Sequence, residues 1–303
     1  MICSSKCSKK YRLSRLILLH KIRRVLLAAR CNIKTAGFFT STNKNFYVRT
    51  DGNDNNDGET DTPSGAWRTA TYAVEYLSSN YNIGKYTAVI NFGPGTWGGT
   101  ITLPKYNMTT GGVRIVGSGK AITRFTSTDA NIFITTENAG TWDIRDCSII
   151  LTRTPDGPSL NQSCLVTRLN SRINIQGIAA RVTEAEGNTY QSALINVSPG
   201  TIGLNADCEF LVQRLGTTGN CFFMRIADGG QLTHNNDAKI SGPMLRCLEC
   251  VNGSKYVRNA ISMPVFTSSN VSGKRYSANM NSIVNTYGGG AEFFPGSTAG
   301  GLS

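Results

Sequence analysis

Few side chains in this 303-residue sequence have the types and spacing that catalysis requires. Asp143 and Asp146 could form the carboxylate pair of a glycosidase, whose two carboxylates stand roughly 5–10 Å apart. At the equivalent positions of the following repeats, described below, the chain carries Asn174 and Gly203, so no row of acids extends this pair. His234 is the only histidine beyond the first 50 residues, and no Gly-x-Ser-x-Gly is present, which argues against a nucleophilic triad. We therefore assign no catalytic residue.

Two segments partly match metal-binding patterns. Cys247-Leu-Glu-Cys250 is a CxxC without the second ligand pair that a zinc site needs, so buried structural thiols are favoured over a metal. Asn53–Gly58 places oxygen-bearing side chains at positions 1, 3 and 5 and glycine at position 6, as in a calcium loop. Position 12 is Ser64 instead of Glu, and the same residue types are favoured in turns. The sequence predicts no metal and no cofactor.

Polar side chains recur on the outward side of one strand in successive repeats and could bind sugar hydroxyls. Amides and short acids both donate to and accept from such groups. These candidates for glycan binding are Asp143, Arg145, Asn174, Gln176, Asn205, Thr233 and Asn235. A solvated sheet surface is the alternative interpretation of this row. If the row does not bind, the segments Arg153–Ser163 and Glu184–Tyr190 are the next candidates.

An internal repeat indicates how these residues are positioned. Gly140, Ser171, Gly200 and Gly230 start similar stretches at intervals of 31, 29 and 30 residues, each beginning an alternation of polar and apolar residues. Apolar clusters precede and follow most of these stretches, which gives about three short strands per repeat. A unit of this kind predicts one coil of a parallel β-helix. A β-sandwich is the alternative all-β fold, but it does not explain the 30-residue period.

The alternation also predicts which side chains form the core. Period 2 places alternate residues on opposite faces of a strand, so Ile144, Ile175 and Leu204 should point inward and touch in neighbouring coils. Upstream, helical spacing predicts a helix over Ala66–Leu77 that Ser64 caps. The resulting division is a leader at 1–45, an entry strand and helix at 46–85, a β-helix at 86–265 and a C-terminal segment at 266–303.

The net charge of +12 is confined to the first 50 residues, most of which belong to the leader. Residues 1–50 contain 12 Lys and Arg and no Asp or Glu, while the other 253 residues carry 19 basic and 19 acidic side chains. Binding of nucleic acid needs basic residues clustered on the folded surface, so no nucleic-acid partner is expected. We expect the leader to be a disordered extension, with membrane-surface attachment or a targeting role as alternatives. No apolar run approaches the 18 residues typical of a spanning helix.

Both ends of the chain beyond the leader resemble known proteins. The segments Phe46–Gly58, Ala88–Trp97 and Val113–Gly119 are similar to the opening of pectin-lyase-like β-helices. Gly273–Ser277 and Asn285–Gly296 resemble the C-terminal segment of bacteriophage and prophage tail-fibre or tailspike proteins. The resemblance implies an all-β fold, namely a single-stranded right-handed parallel β-helix with a short N-terminal capping helix. It also implies a homotrimer.

Together these observations predict a tail-fibre-like or tailspike-like protein that binds a glycan of the host surface. A polysaccharide depolymerase on the same fold, either a glycoside hydrolase or a lyase, is one alternative, and an inactive prophage remnant is another. The expected partners are the host surface polysaccharide and other virion tail proteins. The expected location is the virion tail, or the host-cell cytoplasm if the protein is a prophage product.

Overall fold

The computed structural model describes residues 38–39, 41–108, 110–155, 162–184, 191–214, 220–290 and 292–302. Most of the basic leader lies outside these residues, as do positions 156–161 and 185–190 of the two alternative binding segments. What the sequence predicts for the leader therefore stays a prediction. Within the described ranges, no helix is both long enough and apolar enough to cross a membrane.

Short strands wind around one long core and form three sheet faces, here named A, B and C. Face A contains Lys44–Val48, Thr87–Phe92, Gly112–Gly117, Gly140–Arg145, Ser171–Gln176, Thr201–Leu204, Gln231–His234, Lys255–Arg258 and Ile283–Asn285. Face B contains Gly95–Gly98, Thr123–Thr128, Ser148–Arg153, Ala179–Glu184 and Cys208–Arg214. Face C contains Ile101–Leu103, Phe133–Thr135, Gln162–Thr167, Gln191–Val197, Asn220–Ile226 and Gly301–Leu302. The two longest strands, Ala238–Cys250 and Phe266–Ala278, continue from face B into face C.

The strands pair in parallel with the strand one repeat away, which confirms the predicted parallel β-helix. Gly140 lies opposite Ser171, and the next pairings continue this register at 30-residue intervals. Ile144, Ile175 and Leu204 are in direct register and fully buried, so the predicted inward row is confirmed. The parallel ladder of face A begins at Lys44 and ends at Asn285. A separate three-stranded sheet comprises Phe38–Phe39, Tyr81–Gly84 and Asn107–Met108.

The helix of the first coil is Ala70–Asn80, which begins later than the sequence predicts. Its N-cap is Thr69, whose hydroxyl accepts from the N–H of Tyr72, so Ser64 is the wrong cap. Trp67 forms a parallel bridge with Val48 and is therefore held in extended backbone. The apolar spacing of Ala70, Val74 and Leu77 in the sequence agrees with the helix, whose buried side chains are Ala70, Ala73, Val74 and Leu77. Pairing with the neighbouring coil overrides the helical pattern at the start of this segment.

The segment that resembles a calcium loop instead organises this helix start. The carboxylate of Asp54 accepts hydrogen bonds from the backbone N–H groups of Arg68 and Thr69, and from the Thr69 hydroxyl at 2.8 Å. Asn53 and Asp57 each accept a hydrogen bond from the backbone N–H two residues further on. These contacts are Asx turns and capping bonds, as expected if the residue types of this segment serve a turn.

Aromatic side chains close the C-terminal end of the core. Phe294 is 1% exposed and stacks edge-to-face on Tyr256, with ring centroids 4.9 Å apart. Phe293 packs against Phe266 and lies beneath the Arg258 guanidinium, 4.9 Å from its ring centroid. That guanidinium also donates to three backbone carbonyls of the last coil. The segment Asn285–Gly296 thus covers core that would otherwise face water.

Candidate functional site

The seven predicted glycan-binding residues all lie on face A or at its ends, half-buried, between inward-pointing core residues. Asp143 is the centre of one hydrogen-bonded group. Its carboxylate contacts Arg114 at 3.2 Å and Arg145 at 3.3 Å, and it accepts from the Asn174 amide at 2.9 Å. Arg172 in turn donates to Asn174 at 2.8 Å. The structure thus brings Asp143, Arg145 and Asn174 together.

Asn205, Thr233 and Asn235 lie further along the axis, whereas Gln176 is in register with Arg145. The Asn235 amide donates to Asn205 at 3.0 Å, and the Asn259 amide donates to Asn235 at 3.4 Å. Thr233 accepts from Gln231 at 3.3 Å. Gly203 lies between the two groups and interrupts the row because it has no side chain. A Cβ at this position would stand 2.5 Å from the Asn174 side-chain oxygen. The polar groups of face A are thus largely bonded to one another.

The other carboxylate considered from the sequence, Asp146, lies at the corner between faces A and B. Its φ of 54° is left-handed, and its side chain extends over Gly177 of the next coil. A side chain at Gly177 would overlap the Asp146 carboxylate, which explains the glycine. Asp146 therefore belongs to the stacked turns, whereas Asp143 is held by two arginines on the sheet.

A groove on the outer surface of face B is a second candidate site, and the sequence analysis does not identify it. It has a volume of about 790 Å³ and crosses six successive strands. We call it the face-B groove. It is lined by Lys120, Arg124, Ser148, Ile150, Ala179, Ala180, Arg181, Glu209, Phe210, Leu211, Lys239, Ile240, Ser241, Thr267, Ser268 and Ser269.

Lys120 forms one wall of the groove by reaching across several coils. Its ammonium lies 2.9 Å from the Asp207 carboxylate and 3.3 Å from that of Glu209. Lys239 contacts the same Glu209 oxygen at 3.5 Å. Burial lowers the pKa of Lys120, but the hydrogen bonds with Asp207 and Glu209 outweigh it and raise the pKa overall. The two lysines and the two carboxylates therefore balance one another.

Two arginines of the groove have neutral partners instead. Arg181 donates to the Thr183 hydroxyl at 3.2 Å and to the side-chain oxygen of Gln213. Arg124 donates to the carbonyl of Ala121 at 3.2 Å. Across the described ranges, neither guanidinium takes part in an ion pair, and both side chains are exposed. These arginines leave positive charge available to a ligand.

The comparisons with known proteins add little to this geometry. No family model matches the chain, and no curated protein matches it. Among solved structures, the deglycosylated pectin methylesterase from Aspergillus niger is similar at 11% identity with a TM-score of 0.37. The match covers 84% of this chain and 80% of the esterase. The similarity concerns the fold alone.

Six described cysteines are buried, including both residues of the CxxC motif. They are Cys147, Cys164, Cys208, Cys221, Cys247 and Cys250. Burial raises the pKa of Cys208 and of Cys250 to about 12, so the reactive thiolate is disfavoured at neutral pH. No cluster of metal-ligating side chains occurs among the residues that the structure describes. These thiols pack as small apolar side chains.

His234 is a core residue and not a site residue. It occupies the inward position after Leu204 in the core row, is fully buried and stacks on Phe266 with centroids 4.2 Å apart. Its Nδ1 shares a 2.7 Å hydrogen bond with the Tyr256 hydroxyl. Burial lowers the pKa of His234 from 6.5 to about 4.

Acidification is expected to destabilise the fold through His234. The unfolded chain takes up a proton near pH 6.5, whereas the native histidine stays neutral until about pH 4. Stability is thus intact above pH 6.5 and falls between pH 6.5 and 4, by at most about 3 kcal/mol from this group. Urea denaturation of the wild type and of His234→Gln over this range measures the effect. Equal pH slopes for the two proteins would contradict the assignment.

Proposed function

We propose that the protein binds an extended glycan of a host cell surface in the face-B groove, without cleaving it. The observation that carries the proposal is the length of the groove. Its lining residues come from six stacked strands. At about 4.8 Å per strand, this corresponds to an open channel of about 24 Å along the helix axis. A linear polysaccharide is a ligand of matching shape.

The groove lining has chemistry suited to sugars. Ser241, Ser268 and Ser269 offer hydroxyl groups at one end, and Arg124 and Arg181 offer charged donors towards the other. Hydroxyls both donate and accept, as sugar hydroxyls do. Ile150 and Leu211 lie on either side of Arg181 in the same outward row and provide apolar surface for sugar C–H groups.

A role in a bacteriophage or prophage tail is part of this proposal. Its support is the resemblance of Gly273–Ser277 and Asn285–Gly296 to the C-terminal segment of such proteins. The structure gives that segment a physical role, because Phe293 and Phe294 cover the end of the core. In this role the protein is located in the virion tail, contacts other tail proteins and recognises the host polysaccharide.

Binding without cleavage is favoured by the state of the carboxylates in and beside the groove. Asp207 and Glu209 both contact Lys120, but their side chains are 68% and 45% exposed. A general acid of a glycosidase keeps its proton because it is held in an apolar pocket. Exposed carboxylates paired with lysine lack that environment. The alternative of a depolymerase would be revealed by new reducing ends or unsaturated sugars after incubation with the polysaccharide.

Blocking the groove is expected to weaken binding to host capsular polysaccharide or lipopolysaccharide. Ala179 lies on the outward row of the groove, so Ala179→Trp fills the channel without removing a charge. We expect at least about a tenfold rise in Kd by calorimetry, equivalent to about 1.4 kcal/mol. The matched control is the combined change of Asn174, Gln176 and Asn205 to Ala on face A, which should bind normally. Loss of binding in the control alone would move the site to face A, and binding by both folded variants would refute both surfaces.

A further inference from the structure

We infer that the glycan held in the face-B groove is acidic, with carboxylate, sulfate or phosphate groups along its chain. This inference rests on the proposed function. The groove is lined by four cationic side chains and one carboxylate, although the chain beyond residue 50 carries no net charge. A cationic surface on a neutral body indicates a ligand of opposite charge.

The available charge comes from two residues. Lys120 and Lys239 are balanced by Asp207 and Glu209, through contacts of 2.9–3.5 Å. Arg124 and Arg181 have only neutral partners among the described residues. Arginine presents a planar fork of donors that binds carboxylate, sulfate or phosphate through two parallel hydrogen bonds. We therefore assign to these two guanidinium groups the binding of the glycan's anionic groups, and with it the specificity for an acidic chain.

Their placement suits a polymer better than a small anion. In the register of face B, Arg124 lies opposite Ser148, and Ser148 lies opposite Ala179, two residues before Arg181. The two arginines are therefore separated by two coils, or about 10 Å along the axis. This spacing is suited to an extended chain with regularly spaced charges.

The lining also distinguishes an acidic glycan from a nucleic acid. Proteins that bind single strands stack the bases on exposed aromatic side chains. The one aromatic residue of the lining, Phe210, points into the core and is 2% exposed. Serine and threonine hydroxyls occupy the rest of the polar surface. The groove therefore offers partners for sugar hydroxyls and anions but no surface for bases.

The test compares matched charged and neutral polymers on the full-length protein. The probes are alginate and hyaluronan, each before and after reduction of the carboxyl groups to alcohols, with dextran and a single-stranded oligonucleotide as further ligands. We expect the acidic forms to bind at least about tenfold more tightly than their reduced forms. We also expect their binding to weaken as the NaCl concentration rises, because salt screens exposed charges.

Two double variants test where on the surface the acidic polymers bind. Combined Arg124→Gln and Arg181→Gln should weaken binding of the acidic polymers at least about tenfold and leave binding of the reduced polymers unchanged. Combined Arg172→Gln and Lys255→Gln removes the same charge from face A and should have no effect. Equal or tighter binding of the neutral polymers would overturn the acidic specificity while leaving glycan binding intact. Binding of no polysaccharide would overturn both proposals, and oligonucleotide binding as tight as that of the acidic polymers would replace the glycan by a general polyanion.

Discussion

Replacing Glu184 by glutamine is expected to lower the free energy of unfolding by about 3–5 kcal/mol, because the buried Arg153 guanidinium loses a neighbouring carboxylate. Glu184 and Arg153 are register partners at the inner edge of face B, and both are essentially inaccessible to solvent. Asp129 approaches the Arg153 guanidinium at 3.7 Å, and Ser192 donates to Glu184 at 3.3 Å. Burial lowers the pKa of Arg153, while Asp129 and Glu184 oppose that effect. Without Glu184, the buried cation has one stabilising carboxylate fewer.

Denaturant titration of the purified protein measures this loss. Glu209→Gln is the matched control, because Glu209 is also ion-paired but 45% exposed. Exposed pairs contribute about 0–1 kcal/mol, so the control should change little. Replacing Arg153 and Glu184 together by methionine should cost less than Glu184→Gln alone, since no buried guanidinium then remains short of a carboxylate. A change below about 0.5 kcal/mol for Glu184→Gln, similar to an ordinary surface substitution, would contradict burial of this cluster.

Leu204→Ala is expected to cost about 2–5 kcal/mol, the range for cavity formation in a packed core. Leu204 is fully buried and lies between Ile175 and His234 in the inward row of face A. Each coil packs on the next, so a void at this position removes contacts on two sides. The same denaturant titration gives the value.

The control for this substitution is another leucine in a different environment. Leu169 lies at the corner between faces C and A and is 44% exposed, so Leu169→Ala should change stability by less than about 0.5 kcal/mol. Similar costs for the two variants would mean that the inward row is not the core of the coil. A cost below about 0.5 kcal/mol for Leu204→Ala would indicate a register shifted by one residue, with Leu204 facing outward.

The coil architecture could be predicted because its signals are local. The alternation around Ile144, Ile175 and Leu204 has the period of a strand, and its return about every 30 residues reflects stacking of identical units. The helix start was wrong because Trp67 pairs with Val48, a contact that no local pattern encodes. The turn function of Asn53–Gly58 was one of two interpretations, and the bonds to Arg68 and Thr69 decide between them.

The candidate site likewise has a part that the sequence predicts and a part that only the tertiary structure shows. The sequence alone determined that polar residues such as Asn174 and Asn205 face outward on face A, since orientation follows from the period of the strand. The tertiary structure showed that many of their polar groups bond to one another, and that a groove on face B offers unpaired positive charge instead. This groove depends on the register between coils and on Lys120, which meets Glu209 across 89 residues of sequence. A contact over that separation is created by stacking the coils, so it leaves no local pattern from which to predict it.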